Sequence, residues 1–345
     1  MDSVTQVVLG GAVGYAVLGN KVGRKAAIYG AILGTLPDLD VFLDYGGPVE
    51  NFTFHRSFSH SFLVQALISP LLAWLAVRIH PSSKQHFRAW LLMIFLTLST
   101  HAILDSFTVY GTQLLWPLTD YPFGISSIFI IDPLYTLSLL IAMVIMCFPK
   151  VSPQRLTRVN TLALAISSLY LLWTLGAKWM IDNKIESALA ERDIGNGNYV
   201  STPAPFTTLL WRAVLVKEDQ YYEIYASVFD KPEEVTIDSY QTSPELLNTL
   251  QEEWVVTRLQ WFTKGLYSVK EQESNIVISD LRMGVEGSYV FNFKVAELSE
   301  NAISAAKVEQ ISVRPAVSEM KAIWQRIWDP NVDMTPEGRK KYSSQ

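Results

Sequence analysis

The sequence predicts a multi-pass α-helical membrane domain of about six apolar segments, followed by a soluble α+β domain. Three observations predict it. Apolar runs of near-span length fill residues 1–181. That stretch carries 11 Lys+Arg and 8 Asp+Glu against 17 and 25 in residues 182–345, so the formal net charge of -5 is +3 followed by -8. Beyond residue 182 the periodicity changes to short alternating runs broken by polar turns.

The apolar segments are Val4–Gly19, Ala26–Leu36, Ser61–Ile79, Ala89–Leu104, Ile128–Phe148 and Val159–Ile181. A span needs roughly 20 residues. The sixth reaches that length, the third and fifth come close, and the fourth reaches it if it continues to Phe107. The first two are short and glycine-rich (Gly10, Gly11 and Gly14 in one, Gly30 and Gly34 in the other), which suits tilted, closely packed or re-entrant helices. The lone Cys147 lies in an apolar run, which excludes a disulfide framework. Residues 1–19 lack the basic start of a cleavable signal.

Loop charge predicts orientation. Residues 21–25, 78–88 and 149–158 are purely basic, whereas 37–60 and 105–127 hold one base between them, Arg56. The basic loops are expected in the cytoplasm. The N-terminus and residues 182–345 are then expected on the other side of an inner membrane. The acidic second half and the lack of a basic run argue against nucleic acid as a partner. Membrane lipids and an amphiphilic substrate are the expected partners.

On that topology His55, His60 and His101 join all eight acids of the first half, Asp2, Asp38, Asp40, Asp44, Glu50, Asp105, Asp120 and Asp132, on the outer face or at outer ends of spans. In THAILDSF, His101 and Asp105 are four apart and share a helix face. Ionisable groups in a span are costly and line a cavity or a site. In GTLPDLD, Pro37 marks a helix edge before Asp38 and Asp40. FHRSFSHS supplies His55 and His60. Imidazole with carboxylate suits zinc, and with more oxygens manganese or iron. A carboxylate of the set can ligate or can orient a histidine. Arg56 has two readings: an anchor for an anionic substrate such as phosphate, or a structural partner of Glu50 or Asp44. The stretch Tyr110–Phe123 reads as an interfacial aromatic belt or a lid, and Asp132-Pro133 as a helix cap.

The opening MDSVTQVVLG, GTLPDLD, HRSFSHS, THAILDSFTVYGTQLLWP and IDPLY together resemble the YdjM-like (LexA-regulated) inner-membrane proteins, a family described as metal-dependent hydrolases. The resemblance covers roughly residues 1–145. It implies a membrane-embedded metal hydrolase with site residues at Asp38, Asp40, His55, His60, His101 and Asp105. Many members of that family carry a histidine where Gln6 stands here, so no ligand role is carried over to Gln6. His101–Asp105 also fits the His-x-x-x-Asp tail of phosphatidic-acid phosphatases, but the other motifs of those enzymes are missing.

After Asn183 the expected elements are a short helix (185–193), a Gly/Asn/Pro linker (195–206) and a hairpin of TTLLWRAVLV and YYEIYASVF. A helix (244–263), strands near 266–271, 275–281 and 288–296, and a last helix AVSEMKAIWQRIW follow. This half contains neither histidine nor cysteine, so the metal is expected in the first half. The functional expectation is an integral-membrane metal-dependent hydrolase at the outer interface, acting on a lipid or lipid-linked ester or phosphoester. Asp38, Asp40, Asp105 and Arg56 are the candidates for catalysis. The alternative is a non-enzymatic scaffold or metal-binding partner protein of the cell envelope.

Overall fold

A computed structural model describes all residues except Asn196, Glu300, Asn301, 314–319 and 344–345. The chain forms two compact units. The first contains Met1–Leu43 and His55–Leu175, and the second Asp44–Phe54 and Gly176–Gln345. The sequence reading divides the chain at 181/182. The structure instead divides it inside one long helix and assigns residues 44–54 to the second unit.

In the first unit α1 (Ser3–Val22) is capped by Asp2, whose carboxylate accepts from the amides of Val4 and Thr5. A turn at Gly23 leads into α2 (Lys25–Thr35). The two helices pack so closely that a Cβ at Gly10 would collide with the carbonyl oxygen of Gly30. Only glycine permits that approach. Helix α3 (Pro48–Phe54) belongs to the second unit. Helices α4 (Phe62–Ile79) and α5 (Phe87–Ser106) follow, then α6 (Pro133–Met146) and α7 (Pro153–Glu191). Leu18, Ala73, Trp90, Met93 and Ile94 form one core, and Leu9, Ala12, Leu104, Tyr135 and Leu139 another. The outward side chains are apolar too: Leu67 and Trp74 on α4, Leu137 and Ile141 on α6, Leu162 and Leu169 on α7 are exposed. An apolar exterior around an apolar core is what a lipid solvent selects.

Each of the six apolar segments contains a helix. Three helices are long and apolar enough to cross a membrane: Phe62–Ile79, Pro81–Ser106 counted with its leading turn, and Pro153–Glu191. The fifth is shorter than its apolar run. Asp132 caps α6 through the amides of Leu134 and Tyr135, with Pro133 at the first helical position, so residues 128–132 lie outside the helix.

The second unit holds two four-stranded antiparallel sheets. The first is β1 (Asn198–Pro203), β2 (Leu210–Lys217), β3 (Gln220–Ser227) and β4 (Thr236–Gln241), in chain order. The second is β5 (Tyr267–Gln272), β6 (Asn275–Asp280), β7 (Asn292–Ser299) and β8 (Ala302–Ile311). The expected hairpin is β2–β3, with Lys217 opposite Gln220. Strand β1 occupies the expected linker, and the expected helix over 185–193 is the end of α7. Ala177, Ile181 and Ile185 of α7 pack on Trp211, Ala213 and Ile224. The 244–263 segment divides into a 3₁₀ turn (Pro244–Leu250) and α8 (Trp254–Phe262). Within this unit Phe52 of α3 packs against Phe262 and Phe293, and Arg258 donates to Thr53 Oγ1 at 3.1 Å. Helices α9 (Met320–Arg326) and α10 (Pro336–Ser343) complete it. The first four residues of the expected last helix lie outside the described residues.

Candidate metal centre

The site is assembled from three short stretches of the first unit. Pro37, which has no amide proton to continue α2, starts a 3₁₀ turn over Pro37–Phe42 that carries Asp38 and Asp40. FHRSFSHS turns sharply. Arg56 adopts a left-handed backbone, φ 63°, rare for a residue with a side chain. Its amide donates to Asp40 Oδ2 at 2.9 Å, and its carbonyl accepts from the Gln113 amide at 2.9 Å. A second 3₁₀ turn, Phe58–His60, delivers His60 just before Ser61 caps α4. His101 and Asp105 stand on one face near the end of α5, as their spacing requires.

Four donors of electron pairs converge there. His60 Nε2 lies 3.1 Å from His101 Nε2, 3.0 Å from Asp105 Oδ2 and 3.6 Å from Asp38 Oδ1. His101 Nε2 lies 3.4 Å from Asp38 Oδ1 and 3.4 Å from Asp105 Oδ2. The ring tautomers follow from the partners on the other nitrogen. His101 Nδ1 faces the Gly34 carbonyl oxygen at 2.6 Å, which can only accept, so Nδ1 carries the proton. Ser59 Oγ donates to Asp40 Oδ2 at 2.6 Å, so it accepts from His60 Nδ1 at 2.9 Å. With a ring proton held at each Nδ1, the neutral form of each imidazole turns its Nε2 lone pair toward the same point, and the two Nε2 atoms are too close for both to carry a proton. Bonds of about 2.0–2.2 Å from a tetrahedral zinc would put its ligands about 3.3–3.6 Å apart. The five separations that involve an imidazole nitrogen, 3.0–3.6 Å, fit a single cation. Asp38, His60, His101 and Asp105 thus form a group that could hold a metal ion.

The stretch that holds this quartet is also the stretch that a protein family matches. Residues 1–181 match the YdjM inner membrane protein family. The chain belongs to that family. No curated protein and no solved structure matches it.

In this YdjM-family chain His55 and Asp40 stand outside the quartet and pair with each other. His55 Nδ1 lies 2.7 Å from Asp40 Oδ1. Burial is the largest single influence on Asp40 and opposes its ionisation, but the hydrogen bond and charge of His55, with His60 and Ser59, together outweigh it and hold the carboxyl below its usual range. Ionised Asp40 therefore orients His55, the Arg56 amide and, through Ser59, His60. Asp105 divides its two oxygens. Oδ1 accepts from Gln6 Nε2 at 3.0 Å and also meets the Met1 α-amine, while Oδ2 faces the imidazoles. Within the first unit Arg56 lies against Asp105, with Nε 3.2 Å from Oδ2.

Other expected residues have structural places. Tyr110 lies beside His55, ring centroids 5.6 Å apart, so one end of the aromatic stretch walls the site. Tyr121 is exposed. Two contributors escape a reading by residue type. Ser59 links Asp40 to His60, and its position next to His60 was the only available signal. The Gly34 carbonyl that fixes His101 is backbone, and no side-chain pattern announces it.

Proposed function

We propose that this YdjM-family protein is a metal-dependent hydrolase of the inner membrane. Its site would work at the non-cytoplasmic membrane–water interface on a lipid or lipid-linked ester or phosphoester. The observation that carries the reading is the convergence of two imidazole lone pairs and two carboxylate oxygens, with the ring protons engaged elsewhere. Asp38, His60, His101 and Asp105 would hold the cation, with zinc the best match to two imidazoles and two carboxylates. Such a cation polarises a substrate oxygen and makes water more acidic.

The chain's own residues supply the rest. Asp38 is the quartet member with a partly exposed side chain, 24% against 0–1% for the other three, so it lies on the approach from solvent. His55, held by Asp40 and with its ring 6.3 Å from that of His60, is placed to take a proton from water and return it to the leaving group. Asp40 would act through His55 rather than on substrate. The apolar exterior of the first unit and the basic loops 21–25, 78–88 and 149–158 support a lipidic substrate and an outward-facing site.

Metal analysis of purified protein tests the reading. Wild type should carry one divalent ion per chain, and His60→Ala and His101→Ala should carry none while remaining folded. Wild type without stoichiometric metal overturns the proposal. Metal-loaded protein inert toward a panel of ester and phosphoester lipids moves it to a metal-binding envelope scaffold. A reporter fused after Lys184 should give a non-cytoplasmic signal.

A further inference from the structure

Arg56 is a buried cation whose hydrogen-bonding capacity is mostly unspent. Its residue is 4% exposed and its backbone is fixed at both ends by Asp40 and Gln113. Nη1 donates to Thr108 Oγ1 at 3.3 Å, and Cζ lies 5.2 Å from the centre of the Tyr110 ring. Nε comes within 3.2 Å of Asp105 Oδ2 but lacks the alignment of a hydrogen bond, and this buried donor has no acceptor. A structural arginine–carboxylate pair looks different. Arg282 grips Asp280 with Nε at 2.9 Å and Nη2 at 2.7 Å. Arg56 makes no such fork with Asp105.

We infer that the Arg56 guanidinium clamps the non-bridging oxygens of a phosphoryl group, so that the substrate of the quartet is a phosphoester. The inference rests on the hydrolase reading above and names its substrate class. Arg56 is the one Lys or Arg in segments 37–60 and 105–127, which surround the quartet in sequence. A carboxylic ester is neutral and offers a guanidinium a single uncharged carbonyl acceptor in the ground state. A phosphoester presents two or three charged oxygens, enough to meet a cation and a planar donor fork together. Charge that spreads over those oxygens in the transition state strengthens the same contacts. Hydrolysis is balanced with water alone. The water oxygen bonds to phosphorus, the P–O bond breaks with its electron pair going to the alcohol oxygen, and one water proton ends on that oxygen.

Equilibrium binding to the full-length protein in detergent tests the clamp, with metal content measured on the same samples. The probes are inorganic phosphate and mixed micelles containing phosphatidic acid or, as a control, diacylglycerol. Wild type should bind phosphate. Arg56→Gln should bind it about 10–100-fold more weakly, the scale of lost charged hydrogen bonds, and Arg56→Lys should fall between them, both with metal retained. Tighter binding of phosphatidic acid than of phosphate, with none of diacylglycerol, identifies a lipid headgroup. Binding of phosphate alone identifies a soluble phosphoester. Metal-loaded wild type that ignores both phosphate probes, or variants equal to wild type, overturns the inference and leaves the hydrolase reading standing. Loss of metal from both variants also overturns it, because Arg56 is then a structural partner of Asp105. Wild type that takes up no metal overturns the hydrolase reading, and the clamp falls with it.

Discussion

The molecule buries charge in two ways. In the second unit Glu223 is surrounded by donors. Arg212 Nε reaches it at 3.1 Å, the Tyr289 hydroxyl at 2.7 Å, the Tyr225 hydroxyl at 3.2 Å and the Glu286 amide at 2.8 Å. Asp230 likewise accepts from Arg326 at 2.7 Å. Every such carboxylate meets protons, as a satisfied ion pair in a core must. In the first unit, Asp38, His60, His101 and Asp105 turn acceptors toward one another, and the protons that might separate them are held by Gly34 and Ser59. Both clusters are buried and ionic. Only the second kind leaves a place that asks for a cation.

That contrast can be broken in order of effect. Removal of His60 or His101 should abolish stoichiometric metal, read by elemental analysis, and metal uptake by wild type should fall with pH because the ligand nitrogens must be unprotonated. Glu223→Gln should do the reverse: about 3–5 kcal/mol of stability lost on thermal or denaturant unfolding, because Arg212 keeps its charge without its partner, with metal content unchanged. A metal deficit in folded Glu223→Gln protein would sink the comparison. Asp40→Asn and Ser59→Ala should each weaken metal binding about 10–100-fold without abolishing it, the scale of an orienting partner. Unchanged affinity would show that His60 needs no such support.

The smallest effect concerns Asp238 in the second unit. Burial, with Asp333 and Glu223 nearby, raises its pKa. A carboxyl raised on folding costs nothing below its unfolded pKa of about 3.9, and its cost grows as pH rises through the folded value. Asp238→Asn should therefore stabilise the protein slightly at pH 7, by less than about 1 kcal/mol given partial exposure. The advantage should vanish below about pH 4. Equal melting curves at pH 7 would argue that solvent already screens this charge.

The sequence was most legible where chemistry is periodic. The helical spacing of His101 and Asp105 put both on one face, and alternation with a polar turn located β2 and β3. Asp132-Pro133 was readable as a cap because a carboxylate before proline satisfies orphan amides in place. It was least legible where partners are distant. The Gly/Asn/Pro stretch at 195–206 looks like a linker, yet β1 pairs its residues with β2. His55 and Asp40 have the same residue types and the same sidedness as the quartet, and no spacing distinguishes an orienting pair from a ligand pair.

By itself, the sequence determined the apolar helices, the division of charge and the set of residues from which a metal centre could be built. Hydropathy and helical period are local properties, so the chain states them directly. Only the tertiary structure decided which four residues meet, that Ser59 and the Gly34 carbonyl hold the ring protons, and that Arg56 faces Asp105. The reason is distance along the chain. Asp38, His60 and His101 come together only because glycines let α1 and α2 touch, bringing the turn at Pro37 to the end of α5, and no local pattern encodes that approach.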